Sequence, residues 1–184
     1  MKKNLLIIFG TLFIIILAAA IYYGLFNSPK LVEKNVGGET FVYQERFGDY
    51  QQSGPAMDTV YQELKNNFGV ECPVGFGIYY DNPQEVAKEN LRSDVGCVLS
   101  NESLDRLSEI QTSSILKTKR IPVVKYITAE FPYRNKISFT LGVLKIYPKF
   151  SKYLVEHNYQ SAPSMELYDI KEHRIEYRMA VVEK

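Results

Sequence analysis

The sequence predicts an α+β protein in which an N-terminal transmembrane helix precedes one domain made of a duplicated β-α-β-β unit. Residues 5–26 form an uncharged run of 22 residues, about the length that a helix needs to cross a bilayer at ~1.5 Å per residue. Beyond it, apolar patterns typical of strand, helix, strand and strand follow one another twice between residues 39 and 182. We therefore expect an antiparallel sheet with both helices on one face.

The apolar run divides the chain into three predicted parts. These are a membrane anchor over 1–27, a linker over 28–38 and a domain over 39–184. The linker contains prolines, glycines and charges without a sustained period. The expected partner of residues 5–26 is the lipid bilayer, so the protein is predicted to be a single-pass membrane protein.

A cleaved signal peptide is the alternative for the apolar run, because Ala18, Ala19 and Ala20 could form its cleavage site. The run continues beyond them to Tyr22 and Tyr23, which are typical of a membrane interface. The lysines just before the run slightly favour a domain on the extracytoplasmic side. Both the cleavage and the side of the membrane stay open at this point.

The composition of the chain bears on whether a nucleic acid, a metal or a cofactor is an expected partner. The chain has 22 basic and 21 acidic residues, and a nucleic-acid partner is not expected because no basic face is visible. Cys72 and Cys97 lack zinc-ligand spacing and only two histidines are available, so we expect no metal and no cofactor. The two cysteines are either buried thiols or, outside the cytoplasm, a disulfide.

The predicted elements follow the hydrophobic periodicity of each copy. In the first copy, strands at 39–47, 73–80 and 91–100 accompany a helix whose apolar stripe is Met57, Val60, Tyr61, Leu64 and Phe68. In the second copy, strands at 120–131, 164–170 and 174–182 accompany a helix with the stripe Ile137, Leu141 and Leu144. Pro148 predicts a kink or break there, after which Phe150, Tyr153, Leu154 and His157 resume the pattern. Residues 101–114 are predicted to be a polar loop, with one helical turn as the alternative.

Glu166 is the candidate site residue. In an alternating strand it shares a face with Tyr168, whereas Met165 and Leu167 point the other way. A carboxylate among apolar side chains is costly to bury unless it meets a cation, accepts hydrogen bonds or is protonated. The alternative is an edge-strand glutamate that faces water or pairs with Arg174 or Arg178.

The order of elements and several short stretches resemble the GyrI-like small-molecule-binding domain family. The stretches are Gly48-Asp49-Tyr50, Tyr79 to Pro83, Val95-Gly96, Leu99-Ser100, Ala129, Phe131 to Tyr133, and Glu166-Leu167-Tyr168. The likeness extends to the membrane-anchored, testis-expressed ER-phagy receptor type. It implies a groove with Glu166 inside and with Tyr50, Tyr80, Phe131, Tyr168 and Tyr177 as ligand-binding residues.

The resemblance also implies the class of ligand. A small amphipathic or cationic molecule is expected in the groove, held by a desolvated carboxylate and by ring faces. The leading hypothesis is therefore a membrane-anchored binding protein without catalytic residues. The alternatives are a membrane-tethered scaffold with a protein partner, and a hydrolase of strained electrophilic toxins in which Glu166 is the general base.

Overall fold

The computed structural model describes residues 2–183, so Met1 of the predicted anchor and Lys184 of the predicted domain lie outside the described residues. The elements up to β4 are α1 (Lys2–Tyr22), β1 (Val32–Val36), β2 (Thr40–Phe47), α2 (Ser53–Phe68), β3 (Val74–Tyr79) and β4 (Arg92–Leu99). The later ones are α3 (Leu107–Ile110), β5 (Lys117–Arg120), β6 (Val124–Pro132), α4 (Lys136–Glu156), β7 (Tyr159–Gln160), β8 (Ser164–Asp169), β9 (Arg174–Ala180) and β10 (Val182–Glu183).

The predicted α+β class and the repeated element order are confirmed. The first copy is β2-α2-β3-β4 and the second is β6-α4-β8-β9. Their strands belong to one eight-stranded antiparallel sheet with the order β1-β6-β9-β8-β3-β4-β2-β5. The two copies meet where β3 pairs with β8. The helices α2 and α4 pack on the same face of this sheet, over two clusters of buried side chains.

The sheet curls strongly because two short connections join its opposite ends. In a flat sheet, β1 and β2 would lie ~29 Å apart at ~4.8 Å per strand, yet the four residue steps from Val36 to Thr40 span at most ~15 Å. The connection from β5 to β6 is equally short. The two connections pair with each other: Gly38 N donates to Ile121 O at 2.8 Å, and Ile121 N donates to Glu39 O at 2.9 Å.

Side chains fill the concave face that results. Phe41 and Phe76 stack with ring centroids 3.6 Å apart, and both are fully buried with Tyr126, Met165 and Leu167 around them. The face opposite the helices is therefore filled by side chains and does not hold the expected groove. Residues 32–36 of the predicted linker form β1, which closes this side by pairing with β6.

The helix α4 differs from its predicted form in two ways. It runs unbroken through Pro148, which is exposed, so the carbonyl that loses its hydrogen bond can be hydrated. Its buried positions recur every four residues at Ser138, Gly142, Ile146, Phe150 and Leu154. The predicted stripe residues Ile137 and Leu144 are instead 52% and 65% exposed.

Two further predictions concern the loops. Residues 101–114, predicted as a loop, begin with a 3-10 helix (Asn101–Arg106) that leads into α3. Of the two alternatives for the cysteines, the structure has the disulfide: Cys72 and Cys97 are joined with their Cα atoms 5.8 Å apart. The bond ties the segment before β3 to β4, next to the core beneath α2.

The N-terminal helix α1 stands out by its exposed apolar surface. Side chains are described without a gap from residue 6 onward, and those of Leu6, Phe9, Phe13 and Ile16 are more than half exposed. Among the described residues we find no helix that is both long and apolar enough to cross a membrane. The predicted transmembrane helix is therefore not confirmed.

Candidate functional site

Glu166 lies in the middle of β8, at the seam between the two copies. The alternation of β8 points Glu166 and Tyr168 toward the helices, and Met165 and Leu167 into the concave core. In the sheet register Glu166 stands directly opposite Gly77 of β3. Its side chain is on the covered face, and the residue is only 4% exposed.

Tyrosine hydroxyl groups satisfy the Glu166 carboxylate. Tyr147 of α4 donates to Oε1 at 2.6 Å, and Tyr168 donates to Oε2 at 2.8 Å. The Tyr168 oxygen lies 2.9 Å from that of Tyr79, so Tyr79 donates to Tyr168. The Tyr147 oxygen also lies 3.0 Å from Oγ of Ser164. Together these groups form one hydrogen-bond network across the seam.

Among the side chains that the structure describes, no basic one forms an ion pair with Glu166. Burial raises the pKa of Glu166, and the hydrogen bonds from Tyr147 and Tyr168 offset only part of that rise. A fully desolvated carboxylate without a cation is the least favourable ionic arrangement in a protein interior. Two things can relieve the burial of this carboxylate, namely protonation or a positive charge that the described residues do not supply.

The surrounding hydroxyl groups remain protonated donors. Burial, and after it the Glu166 charge, raises the pKa of the four tyrosines near the carboxylate: Tyr79, Tyr147, Tyr168 and Tyr177. The hydroxyl of Tyr177 is fully buried and has no hydrogen-bond partner among the described residues. A buried donor of this kind is available to a polar group of a bound molecule.

Two glycines make room for this arrangement. A Cβ on Gly77 would lie 2.6 Å from the hydroxyl oxygen of Tyr79, which extends across the strand toward the seam. A Cβ on Gly142 of α4 would clash with the hydroxyl oxygen of Tyr177. Only glycine lets these tyrosines approach so closely, so the backbone at both positions helps to shape the site.

Three of the predicted lining residues lie in or near the network. Tyr168 contacts Glu166 directly, and the ring of Tyr177 packs edge-on against Tyr147 with centroids 6.2 Å apart. Tyr50 lies at the edge of the network, with its ring centroid 4.8 Å from that of Tyr79. Its hydroxyl group hydrogen-bonds the backbone of Asp81 and Arg92.

Two other predicted residues lie apart from Glu166. Phe131 is buried under α4 on β6, which is separated from β8 by β9. Tyr80 lies on the opposite face, where its hydroxyl group donates to Asp94 at 2.6 Å and accepts from Lys119 at 3.1 Å. The structure thus brings Tyr79, and not Tyr80, to the site.

The sequence prediction missed Tyr147 and Phe139, and of the neighbours Tyr79 and Tyr80, one of which was expected to line the groove, the family resemblance favoured Tyr80. Tyr147 lies one position after the buried Ile146 on α4, outside the predicted stripe. Phe139 packs edge-on against Tyr168 with centroids 5.1 Å apart. The signal that could have identified Tyr79 is the alternation of β3, in which it shares a face with Gly75 and Gly77.

The described residues outline two cavities outside the Glu166 site. One, of about 490 Å³, lies between β5 and the segment that holds α3, and Arg120 and Leu104 are among its lining residues. The other, of about 420 Å³, follows the exposed side of α2. Within residues 2–183 there is no group of three or more acidic, histidine or cysteine residues that could hold a metal ion.

Solved structures with the same fold include an isolated domain and a protein–DNA complex. The crystal structure of the EcmrR C-terminal domain superposes with a TM-score of 0.60 at 13% identity, covering 85% of this chain and 99% of that one. The cryo-EM structure of the EcmrR–DNA complex in EcmrR-RPo has a TM-score of 0.62 at 12% identity, covering 100% of this chain and 71% of that one. At this identity, the likeness shows a shared fold alone.

Curated relatives give a sequence match. Testis-expressed protein 264 from Homo sapiens is 26% identical over 118 residues, 59% of this chain and 38% of that protein. Its homolog from Mus musculus is 30% identical over 95 residues, 50% of this chain and 31% of that protein. The matches thus span less than half the length of either relative. Residues 31–182 match the GyrI-like small molecule binding domain, and the chain belongs to this family.

Proposed function

We propose that this protein binds a small amphipathic cation at Glu166 and does so without catalysing a reaction. The observation that carries the proposal is a carboxylate that is 4% exposed and accepts two tyrosine hydroxyl groups but has no basic partner among the described residues. A ligand cation would supply the missing charge, and the rings of Tyr147, Tyr168 and Phe139 would cover its apolar part.

Binding requires that side chains over Glu166 move. Tyr147 of α4 covers the carboxylate from the helix side, and Phe139 of the same helix packs against the neighbouring Tyr168. A ligand that displaces Tyr147 exchanges one hydrogen bond for a full ionic contact in a desolvated site, which is the stronger interaction. The unpartnered hydroxyl of Tyr177 would then meet a polar group of the same ligand.

Calorimetric titration tests this proposal with a matched pair of probes. The full chain in nanodiscs is titrated with 4-phenylbutylammonium and with its uncharged N-acetyl derivative, because acetylation removes the charge and keeps the phenylbutyl group. We expect saturable binding of the ammonium ion, weaker binding of the acetyl derivative, and loss of binding in Glu166→Gln. Glu130→Gln, which changes an exposed acid, is the control. Equal binding by the wild type and Glu166→Gln would refute the proposal.

Hydrolysis is a second candidate that one observation favours. The raised pKa of Glu166 suits a general base that removes a proton from water near neutral pH. Incubation of the same proteins with a strained-ring electrophile would reveal turnover by the wild type that Glu166→Gln lacks. If neither binding nor turnover is found, a scaffold that binds a protein partner becomes the better proposal.

We also propose that α1 tethers the domain to a bilayer. The proposal is supported by its exposed apolar side chains, since a contiguous apolar surface of this kind favours a lipid environment. The Cys72–Cys97 disulfide supports an extracytoplasmic side, where disulfides persist. Flotation of the full chain with liposomes, compared with a chain in which Ile14 and Ile15 are replaced by lysine, tests the tether.

A further inference from the structure

The segment that follows α1 is held tightly along one side of α4. Lys145 donates to the backbone carbonyls of Leu25 and Asn27. One turn later, Lys149 donates to Oγ of Ser28 at 3.0 Å and to the carbonyl of Pro29 at 2.6 Å. The end of α1 and the residues after it therefore have a defined position against α4.

Side chains at the end of α1 and just after it also contact the residues at the start of α4. The guanidinium of Arg134 lies 5.4 Å from the ring centroid of Tyr22, and Asn135 donates to the hydroxyl of Tyr23 at 2.8 Å. Residues 22–29 thus run alongside α4 from its first residues to Lys149. We call this part of the chain the exit segment.

Next to the exit segment, α4 presents an apolar stripe that the domain does not cover. Ile137, Leu144 and Val155 lie on one side of the helix and are 52%, 65% and 80% exposed. Leu25 and Phe26 of the exit segment are also exposed, by 47% and 65%. This outer stripe therefore continues the exposed apolar surface of α1 onto the domain.

The charges around the outer stripe are mostly basic, with one acid at the end of α4: Glu156, next to Val155, pairs with Lys152 at 3.7 Å. Between Arg134 and Val155 the chain has five basic residues, which are Arg134, Lys136, Lys145, Lys149 and Lys152, and no acidic residue. The exit segment contains no acidic residue either. Because the whole chain has a net charge of only +1, this face is strongly basic relative to the rest. Apolar and aromatic side chains ringed by lysine and arginine are typical of helices that lie on anionic lipid surfaces.

We propose that the outer stripe of α4 and the exit segment lie in the headgroup region of an anionic bilayer. The helix that covers Glu166 then rests on the membrane surface, and an amphipathic cation dissolved in the lipid meets it there first. The inference rests on the proposed tether by α1, which brings the same face to the bilayer. A separate label on α1 distinguishes failure of the tether from failure of this inference.

Depth-dependent fluorescence quenching tests the proposal. Because Cys72 and Cys97 are joined, a single introduced cysteine can be labelled with bimane in Leu144→Cys, in Phe13→Cys and in Ile115→Cys. Ile115 is also apolar and exposed but lies just before β5. The full-length proteins are placed in phosphatidylserine-containing nanodiscs with or without nitroxide-labelled lipid.

We expect the lipid nitroxide to quench the labels at Leu144 and Phe13 but not the label at Ile115. Replacement of Lys136 and Lys152 by glutamine should reduce quenching at Leu144 and leave Phe13 unchanged, because only the headgroup contact is electrostatic. Quenching at Phe13 without quenching at Leu144 would overturn the inference and leave the tether in place. Absence of quenching at Phe13 and at Leu144 would overturn the tether and this inference together. A label at Leu144 that neither lipid-borne nor aqueous quenchers reach would overturn this inference and assign the outer stripe to a protein contact.

Discussion

Two buried acids, one in each copy of the repeat, lie on opposite faces of the sheet. Asp94 of β4 is 6% exposed and Glu166 of β8 is 4% exposed. Asp94 accepts a hydrogen bond from Tyr80 and forms an ion pair with Lys119, whose ammonium also lies 4.3 Å from the ring centroid of Tyr43. Glu166 accepts its hydrogen bonds from tyrosines alone.

The difference distinguishes a structural acid from the acid that we propose to bind a ligand. At Asp94 the desolvation of the carboxylate is offset by a cation of the same chain, so the cluster is complete without a ligand. At Glu166 the same cost is offset only by neutral hydroxyl groups, so the proposed ligand cation would supply a charge that the described residues do not. Burial of an acid is therefore not by itself the basis of the proposal, which depends on the cation that is missing beside Glu166.

The largest expected effect is the loss of stability in Asp94→Asn. The substitution leaves the ammonium of Lys119, which is 24% exposed, without its counter-charge, and breaking a buried pair in this way costs about 3 kcal/mol. Urea denaturation of the full chain in nanodiscs, followed by tyrosine fluorescence, measures the change. Glu166→Gln is the matched variant and should cost nothing at neutral pH, because no cation is left behind. An equal loss in both variants would contradict the comparison.

A smaller effect is expected in Gly77→Ala, which tests the packing of the Glu166 site. The added methyl group would press on the ring of Tyr79, and overpacking of this kind costs about 1–3 kcal/mol. The control is Gly54→Ala in α2, where a Cβ would meet nothing within 4 Å. Thermal unfolding measures both. If Gly77→Ala is as stable as the control, the close approach of Tyr79 does not shape the site.

The fold was predictable because the spacing of apolar residues along each strand and helix reflects the side of that element that faces the core. Period-two alternation placed Glu166 and Tyr168 on one face of β8, and the same rule, applied to β3, groups Gly77 with Tyr79. The family resemblance favoured Tyr80 instead, although Tyr80 belongs to the other face. A difference of one residue along a strand places a side chain on the opposite face, and the register of β3 with β8 confirms which face meets Glu166.

Tertiary packing explains what the pattern of α4 could not predict. Its apolar residues Ile137 and Leu144 suggested the core face, but small residues occupy the buried positions at Ser138 and Gly142. At Gly142 the hydroxyl group of Tyr177 fills the space beneath the helix, and at Ser138 the side chain caps the start of α4 by accepting from Arg134 N at 2.9 Å. The curl of the sheet could not be predicted from the sequence either. It arises because two short connections join strands near opposite ends of the sheet, and the sequence does not reveal that order.

The subtlest difference between the two acids is the pH dependence that Glu166 gives to stability. Burial raises its pKa in the folded protein, so between the unfolded value of ~4.5 and the raised value the folded state binds more protons than the unfolded state. The contribution of Glu166 is thus fully present below the unfolded pKa and is lost as the pH rises through the folded pKa. Glutamine does not titrate, so Glu166→Gln should gain thermal stability over the wild type as the pH rises.

Paired melting curves from pH 4 to 8 measure this gain, at about 2–4 °C for each kcal/mol in a protein of this size. A constant difference across that range would mean that Glu166 is no harder to ionise than an exposed acid. The affinity of the wild type for the phenylbutylammonium probe should rise with pH, because protonation below the raised pKa removes the charge that the cation needs. Its stability relative to Glu166→Gln falls over the same range. In this proposal the Glu166 carboxylate destabilises the ligand-free protein at neutral pH and binds a cation at the same pH. Such a loss of stability is expected at a binding site, where function and stability trade off.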